Sequence, residues 1–244
     1  MFAKEGVQRV GMALLAGLFA LAAFGIFIRE YNSFYAGAGV AAQSYVTSEG
    51  AFEARPLGLQ SVAREVGRCF EARAQLREGL LKPEARARGY RACLALADDI
   101  LHRTPAHGGA LQLRAEMLAD LADSRPSDVQ KALETLLMAA QAAPRTVWLM
   151  QRRVALVMAL SGDGAALGAG SSALDGPLAQ MVARDVAGLL EVSEIHEWLA
   201  QQYLRHAALR KVLGQLEGQV MAADAAAFLR RLRKEVRQNG GSAP

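Results

Sequence analysis

Aromatic residues make up only 6% of this chain, and its cysteines number two, Cys69 and Cys93. Two cysteines are too few for a disulfide scaffold, and without a CxxC pair they suit neither a zinc site nor thioredoxin-like redox chemistry. Charge of one sign is in small excess: the net charge is +4, and the basic residues are scattered except near the C-terminus. That pattern leaves no general nucleic-acid footprint. The glycine cluster Gly162, Gly164, Gly168 and Gly170 lacks a GKS/T ending and follows a helical pattern instead of a strand, so it is not a phosphate loop. Ser171 and Ser172 lack a GxSxG context, His196 beside Glu197 has no second His four residues on, and His206 has no Ser or Cys partner in sequence. No catalytic set and no cofactor motif is therefore expected.

What the chain has in abundance is Ala and Leu, which carry a hydrophobic content of 52%. These are the residues that cost least to place in a helix, so the composition predicts an all-α protein.

One hydrophobic run is long. Val10 to Ile28 (VGMALLAGLFALAAFGIFI) holds nineteen residues without a charge, enough at helical rise to cross about 30 Å of hydrocarbon. Lys4 and Arg9 precede it, Arg29 and Glu30 follow it, and Tyr31, Phe34 and Tyr35 stand where an aromatic belt would rest. The pattern predicts a single-pass transmembrane helix within an anchor spanning 1–35. A cleaved signal peptide is the alternative, with Ala36-Gly37-Ala38 as its site, but the apolar run is too long and the site lies too far beyond it. Basic residues close to the membrane favour the N-terminal side, with Lys4 and Arg9 against Arg29, so the N-terminus is expected in the cytoplasm and the domain outside it. In a bacterium this means the inner membrane and the periplasm.

After the anchor, 36–56 is rich in Gly, Ala and Ser and reads as a flexible linker. A helical domain is expected over 57–238, in about eight helices, followed by a disordered tail at 239–244. The apolar period predicts a first helix over about Ser61 to Leu81 and a second opening at Pro83 and ending at Thr104-Pro105, with Gly108 and Gly109 beyond. Further helices carry Leu111, Ala115, Leu118 and Leu121; then Val129, Leu133, Leu136, Leu137 and Ala140; then Trp148, Leu149 and Leu156. Ser161 to Gly176 breaks the rhythm as a long glycine-rich loop. Helices resume at Pro177 with Leu178, Val182, Val186 and Leu189, from Ser193 with Ile195, Leu199, Leu213 and Leu216, and from Asp224 with Phe228, Leu229, Leu232 and Val236.

If the first two helices form an antiparallel hairpin, Cys69 and Cys93 lie equally far from the turn at Leu81 and face one another as a possible disulfide, which an oxidising compartment favours. Arg230, Arg231, Arg233, Lys234 and Arg237 make one side of the last helix basic opposite its apolar face. That side is a possible interaction surface for anionic lipid or an acidic partner, or a solvated face. Asp98 and His102, four apart, with His107 beyond the turn, form the one arrangement with metal-ligand spacing. Its competing explanation is a histidine meeting the carbonyls of a helix end.

The prolines of the loops set a period: Pro105 and Pro144 are 39 residues apart, near the 34 of a tetratricopeptide repeat. Ala132, Leu136, Ala139 and Pro144 stand at that family's small, large, small and terminal-proline offsets, and Leu111, Ala115 and Leu118 match its first helix. Over about Tyr90 to Leu160 the chain therefore resembles a tetratricopeptide repeat, with Arg153 and Cys93 departing from the pattern. The resemblance implies a binding surface without catalysis. The order of later features is also similar to small accessory proteins of exopolysaccharide biosynthesis clusters. These features are a Trp-bearing helix (VWLMQRRVALVMAL), a glycine-rich gap, a Gly-Pro opening a helix (DGPLAQMVARDVAGLL) and a closing helical pair. Ancillary subunits of the secretion translocon share the layout of anchor, spacer and hairpins. These likenesses imply a membrane-anchored scaffold or assembly factor of the cell envelope with protein partners and no nucleic acid. A periplasmic chaperone or translocon helper is one alternative, and a metal-binding protein or enzyme using Asp98, His102 and His107 is another. Cofactors are not expected.

Overall fold

The computed structural model describes residues 12, 14–28, 58–78, 81–122, 126–161, 176–206, 209–210, 212, 227–232 and 234. The linker 36–56, the tail 239–244, residues 162–175 of the glycine-rich stretch, the residues flanking the apolar run, and Arg233 and Arg237 lie outside the described residues. Within them every regular element is a helix and there is no strand, so the protein is all-α as its composition predicts.

Residues 14–28 are helical, and every one of their side chains is exposed. Beyond them run α1 (Leu59–Arg77), α2 (Pro83–Arg103), α3 (Gly108–Leu121), α4 (Pro126–Ala142), α5 (Val147–Ser161), α6 (Pro177–Leu190), a single 3-10 turn (Ser193–Ile195) and α7 (His196–Arg205), with further helical residues at 209, 210, 212, 227–232 and 234. Among the described residues no helix is long and apolar enough to cross a membrane. The chain divides into two compact units, Met1–Ala92 and Cys93–Pro244, with the boundary inside α2.

In the first unit, α1 buries Val62, Val66, Cys69, Phe70 and Leu76 along the stripe its period predicts. Glu65 is buried on the same helix, and the Arg68 guanidinium donates to its carboxylate at 2.6 Å. A Cβ at Gly89 of α2 would lie 2.7 Å from Leu76 Cδ1, so the absence of a side chain there sets how closely α2 approaches the end of α1. The helix ends at Arg77, short of the expected Leu81, with Glu78 as its C-cap.

In the second unit, α3 is buried nearly all round, from Gly109 to Met117, which marks it as the central helix. It pairs with α4 as an antiparallel hairpin, because Gly108 at the start of α3 meets Ala143 just past the end of α4. The small residues Ala132 and Ala139 of α4, with Leu136 between them, are completely buried. The α5 and α6 helices form a second antiparallel pair: Gly188, near the end of α6, lies against Met150 at the start of α5. One core joins these pairs, drawing Leu136 and Ala140 from α4, Val154 and Val157 from α5, Val182, Val186 and Leu189 from α6 and Leu199 from α7, with Leu229 and Leu232 from the last helical residues.

The second helix ends at Arg103, next to the Thr104-Pro105 step as expected, and Gly108 and Gly109 beyond it open α3, which His107 caps: His107 is extended, and its Nδ1 accepts the Ala110 N–H at 3.0 Å. Two expectations need correction. The helix expected to continue from Ser193 is broken at His206, whose backbone is extended; Leu213 and Leu216 lie outside the described residues. Arg210 closes the break by donating to the carbonyls of Tyr203 and Leu204, which the end of α7 leaves unpaired within the helix. Trp148, counted with the apolar side of its helix, is 46% exposed, and the buried side of α5 runs instead through Leu149, Met150, Val154, Leu156, Val157 and Met158.

Candidate interaction surface

The last turn of α4 contains no Lys, Arg or His to meet its terminal carbonyls. Donors come from other helices. Arg153 of α5 donates from one terminal nitrogen to the Ala143 carbonyl at 3.2 Å, and Arg184 of α6 donates to the Ala140 carbonyl at 3.4 Å. Arg153 is fully buried, at the point where the repeat pattern wants an apolar residue. Its charge is matched by Asp185 of α6, also fully buried, through two parallel hydrogen bonds of 2.6 and 3.1 Å. Burial pushes the Asp185 carboxyl up from its ordinary range, against the opposing pull of the Arg153 hydrogen bond and charge. Desolvation therefore outweighs attraction at this carboxyl.

Above this clamp lies an open cavity of about 330 Å³ between α4 and α6. Leu137, Ala140, Pro177 and Met181 supply its apolar lining, and Gln141, Gln180 and Arg184 its polar groups. An apolar floor with two amides and one guanidinium suits a side chain presented by a partner, fixed at its edge by hydrogen bonds. The positions of its walls follow from the clamp, since α4 and α6 belong to different hairpins.

A second polar arrangement stiffens α3. Gln112 and Glu116, both buried and one turn apart on α3, share a hydrogen bond of 2.8 Å, and Arg152 of α5 grips Glu116 bidentately at 2.9 and 2.6 Å. Arg114 on the same helix bonds Asp98 at 2.7 Å and the Thr135 hydroxyl of α4 at 3.0 Å.

The candidate metal ligands do not form a common site among the described residues. Asp98 is held by Arg114, His107 is half-buried and spent on the α3 cap, and His102 is exposed. Among the described residues no three His, Cys, Asp or Glu side chains converge on a metal position. Burial lowers the His107 pKa below its ordinary 6.5, partly offset by a hydrogen bond to its own backbone. Cys69 and Cys93 are both fully buried, and each is in the disulfide form. On the last helix Leu229 and Leu232 are buried in the common core, while Arg230, Arg231 and Lys234 are exposed. Phe228 stacks on His196 with ring centroids 4.2 Å apart, which orients this helix against the start of α7.

No family model, curated protein or solved structure matches this chain.

The α4–α6 cavity and the Arg153–Asp185 pair were not anticipated. A signal for the pair was present in sequence: Arg153 beside Val154, and Asp185 beside Val186, are charges inside apolar stripes on consecutive helices. Two such residues of opposite sign invite pairing, because each alone would be costly to bury.

Proposed function

We propose that this protein is a non-catalytic scaffold of the cell envelope, anchored in a bilayer through its N-terminal apolar run and binding a partner protein through its helical domain. The observation that carries the reading is the helix at 14–28, whose large apolar residues stand in the open: Leu14 at 66%, Phe19 at 73%, Leu21 at 71% and Phe24 at 60% exposure. A contiguous apolar surface of this kind needs a cover, and lipid is the cover that suits a helix apolar on every side. With Val10 to Ala13 included, the uncharged run reaches about 28 Å at helical rise, close to a hydrocarbon core.

Lys4 and Arg9 place the N-terminus in the cytoplasm on this reading and the domain in the periplasm. Pairing of Cys69 with Cys93 belongs to the same proposal, because disulfides persist outside the cytoplasm. The α4–α6 cavity offers the partner a recess. The tetratricopeptide-like offsets and the order of C-terminal features favour an accessory role in exopolysaccharide biosynthesis or export, with secretion-translocon help as the second possibility. Glycosyltransferase genes beside this one would select the first and secretion genes the second.

Paired fusions at the C-terminus test the topology. Alkaline phosphatase should be active and a fluorescent protein that matures only in the cytoplasm should stay dark, with the chain resisting carbonate extraction. The opposite pair of signals, or release by carbonate, would overturn the anchored, exported arrangement.

A further inference from the structure

On the last helix the exposed residues Arg230, Arg231 and Lys234 fall within an arc of about 100° around the axis, centred on exposed Ala227, while buried Leu229 and Leu232 lie on the opposite side. The burial of the two leucines fixes the helix in rotation. It cannot roll its cations away without withdrawing those leucines from the core they share with α4, α5 and α6. The cations are thus held in a constant direction by packing, which a merely solvated tail does not require.

We infer that this face docks on an anionic lipid surface and brings the helical domain down onto the bilayer that anchors it. The inference rests on the anchored reading above. The segment between residues 28 and 58, even fully extended, keeps the domain within about 100 Å of the membrane, so the headgroups are present at high effective concentration. Lipid phosphates complement guanidinium and ammonium groups, and each surface cation shifts the docked-to-free ratio by about fivefold. Three cations together give on the order of a hundredfold, which salt diminishes by screening.

The test uses the full chain reconstituted in vesicles of phosphatidylcholine alone and of phosphatidylcholine mixed with phosphatidylglycerol. A fluorophore at position 227 is read against a quencher on the lipid headgroups. Quenching should be stronger with phosphatidylglycerol, fall at high salt, and be lost in the Arg230→Glu/Arg231→Glu/Lys234→Glu variant at unchanged melting temperature. Equal quenching in the two vesicles, or a variant that behaves as the parent, overturns lipid docking and leaves the face to an acidic protein. Flotation with pure phosphatidylcholine vesicles at high salt reports the anchor separately. A chain that floats there without differential quenching keeps its anchor and loses the lipid face. A chain that fails to float there, yet floats with phosphatidylglycerol vesicles at low salt and loses this in the variant, keeps the lipid face without the anchor.

Discussion

Removing either member of the Arg153–Asp185 pair should damage the fold unequally, and the inequality can be worked out from the burial of each. Both side chains are at 0% exposure, so whichever charge remains is stranded away from water. Asp185→Leu leaves a guanidinium that cannot lose its proton, and the loss should be about 3–5 kcal/mol. For a domain of this size that is roughly 10 °C or more in melting temperature. Arg153→Met instead leaves a carboxyl that burial already favours in its neutral form, and it can take up a proton. Its cost should therefore be smaller and dependent on pH. A carboxyl with a raised folded pKa contributes stability that is full below its unfolded value, near 3.8, and is lost as pH rises through the folded value. The methionine variant should thus recover part of its deficit relative to the parent on acidification, while the leucine variant should not. The double replacement Arg153→Met/Asp185→Leu removes both desolvation penalties and should lie near the parent, less about 1 kcal/mol for the lost Ala143 carbonyl bond. Urea unfolding followed by circular dichroism, across the four members of the cycle and at two pH values, measures all of this. A double variant as unstable as Asp185→Leu would refute the reasoning, as would an Asp185→Leu loss below about 1 kcal/mol.

Acidification should also act through His107. Its pKa is lowered on folding, so its share of stability is present above about 6.5 and is lost as pH falls through the folded value; His107→Asn, which can still cap α3, should flatten this part of the melting-temperature profile. Gly108→Ala places a Cβ 2.5 Å from the Ala143 Cβ and should cost about 1–3 kcal/mol, with Ala143→Gly in the same chain restoring most of it; absence of rescue in thermal melts would mean that the two ends do not meet as described. Leu232→Ala should destabilise by roughly 2–5 kcal/mol, whereas Arg231→Ala should stay within about 0.5 kcal/mol. Equal losses would show that the arginine is packed or paired.

Helix positions were readable wherever a proline or a clean apolar period marked them. Pro83, Pro126 and Pro177 open α2, α4 and α6 as their fixed φ angle predicts, and the Val182, Val186, Leu189 stripe is wholly buried. Gly176, at φ 67°, sits where a side chain would be strained, which is why the Gly-Pro step marks the start of α6 so plainly. Reading failed where a polar residue changed role with context. His107 reads as a third metal ligand beyond the turn and is instead the cap of α3. Arg153 looked like a flaw in a repeat, because the residue that makes it tolerable, Asp185, lies 32 positions away across the glycine-rich stretch. The α4–α6 cavity was invisible for the same reason: a recess between two hairpins depends on their docking, which no local period encodes.

The cross-helix capping of α4 bears on how a guest would be sensed. The carbonyls at its end are held by arginines from the next hairpin, and the recess above them has one wall on each hairpin. A ligand seated there would resist separation of the two hairpins, so occupancy should appear as slower amide exchange at the end of α4 and along α6. The coupling is reciprocal, and loosening the buried clamp should weaken the grip of a surface that never touches it. Affinity at this recess would then be tuned by residues that no surface scan of the protein would sample.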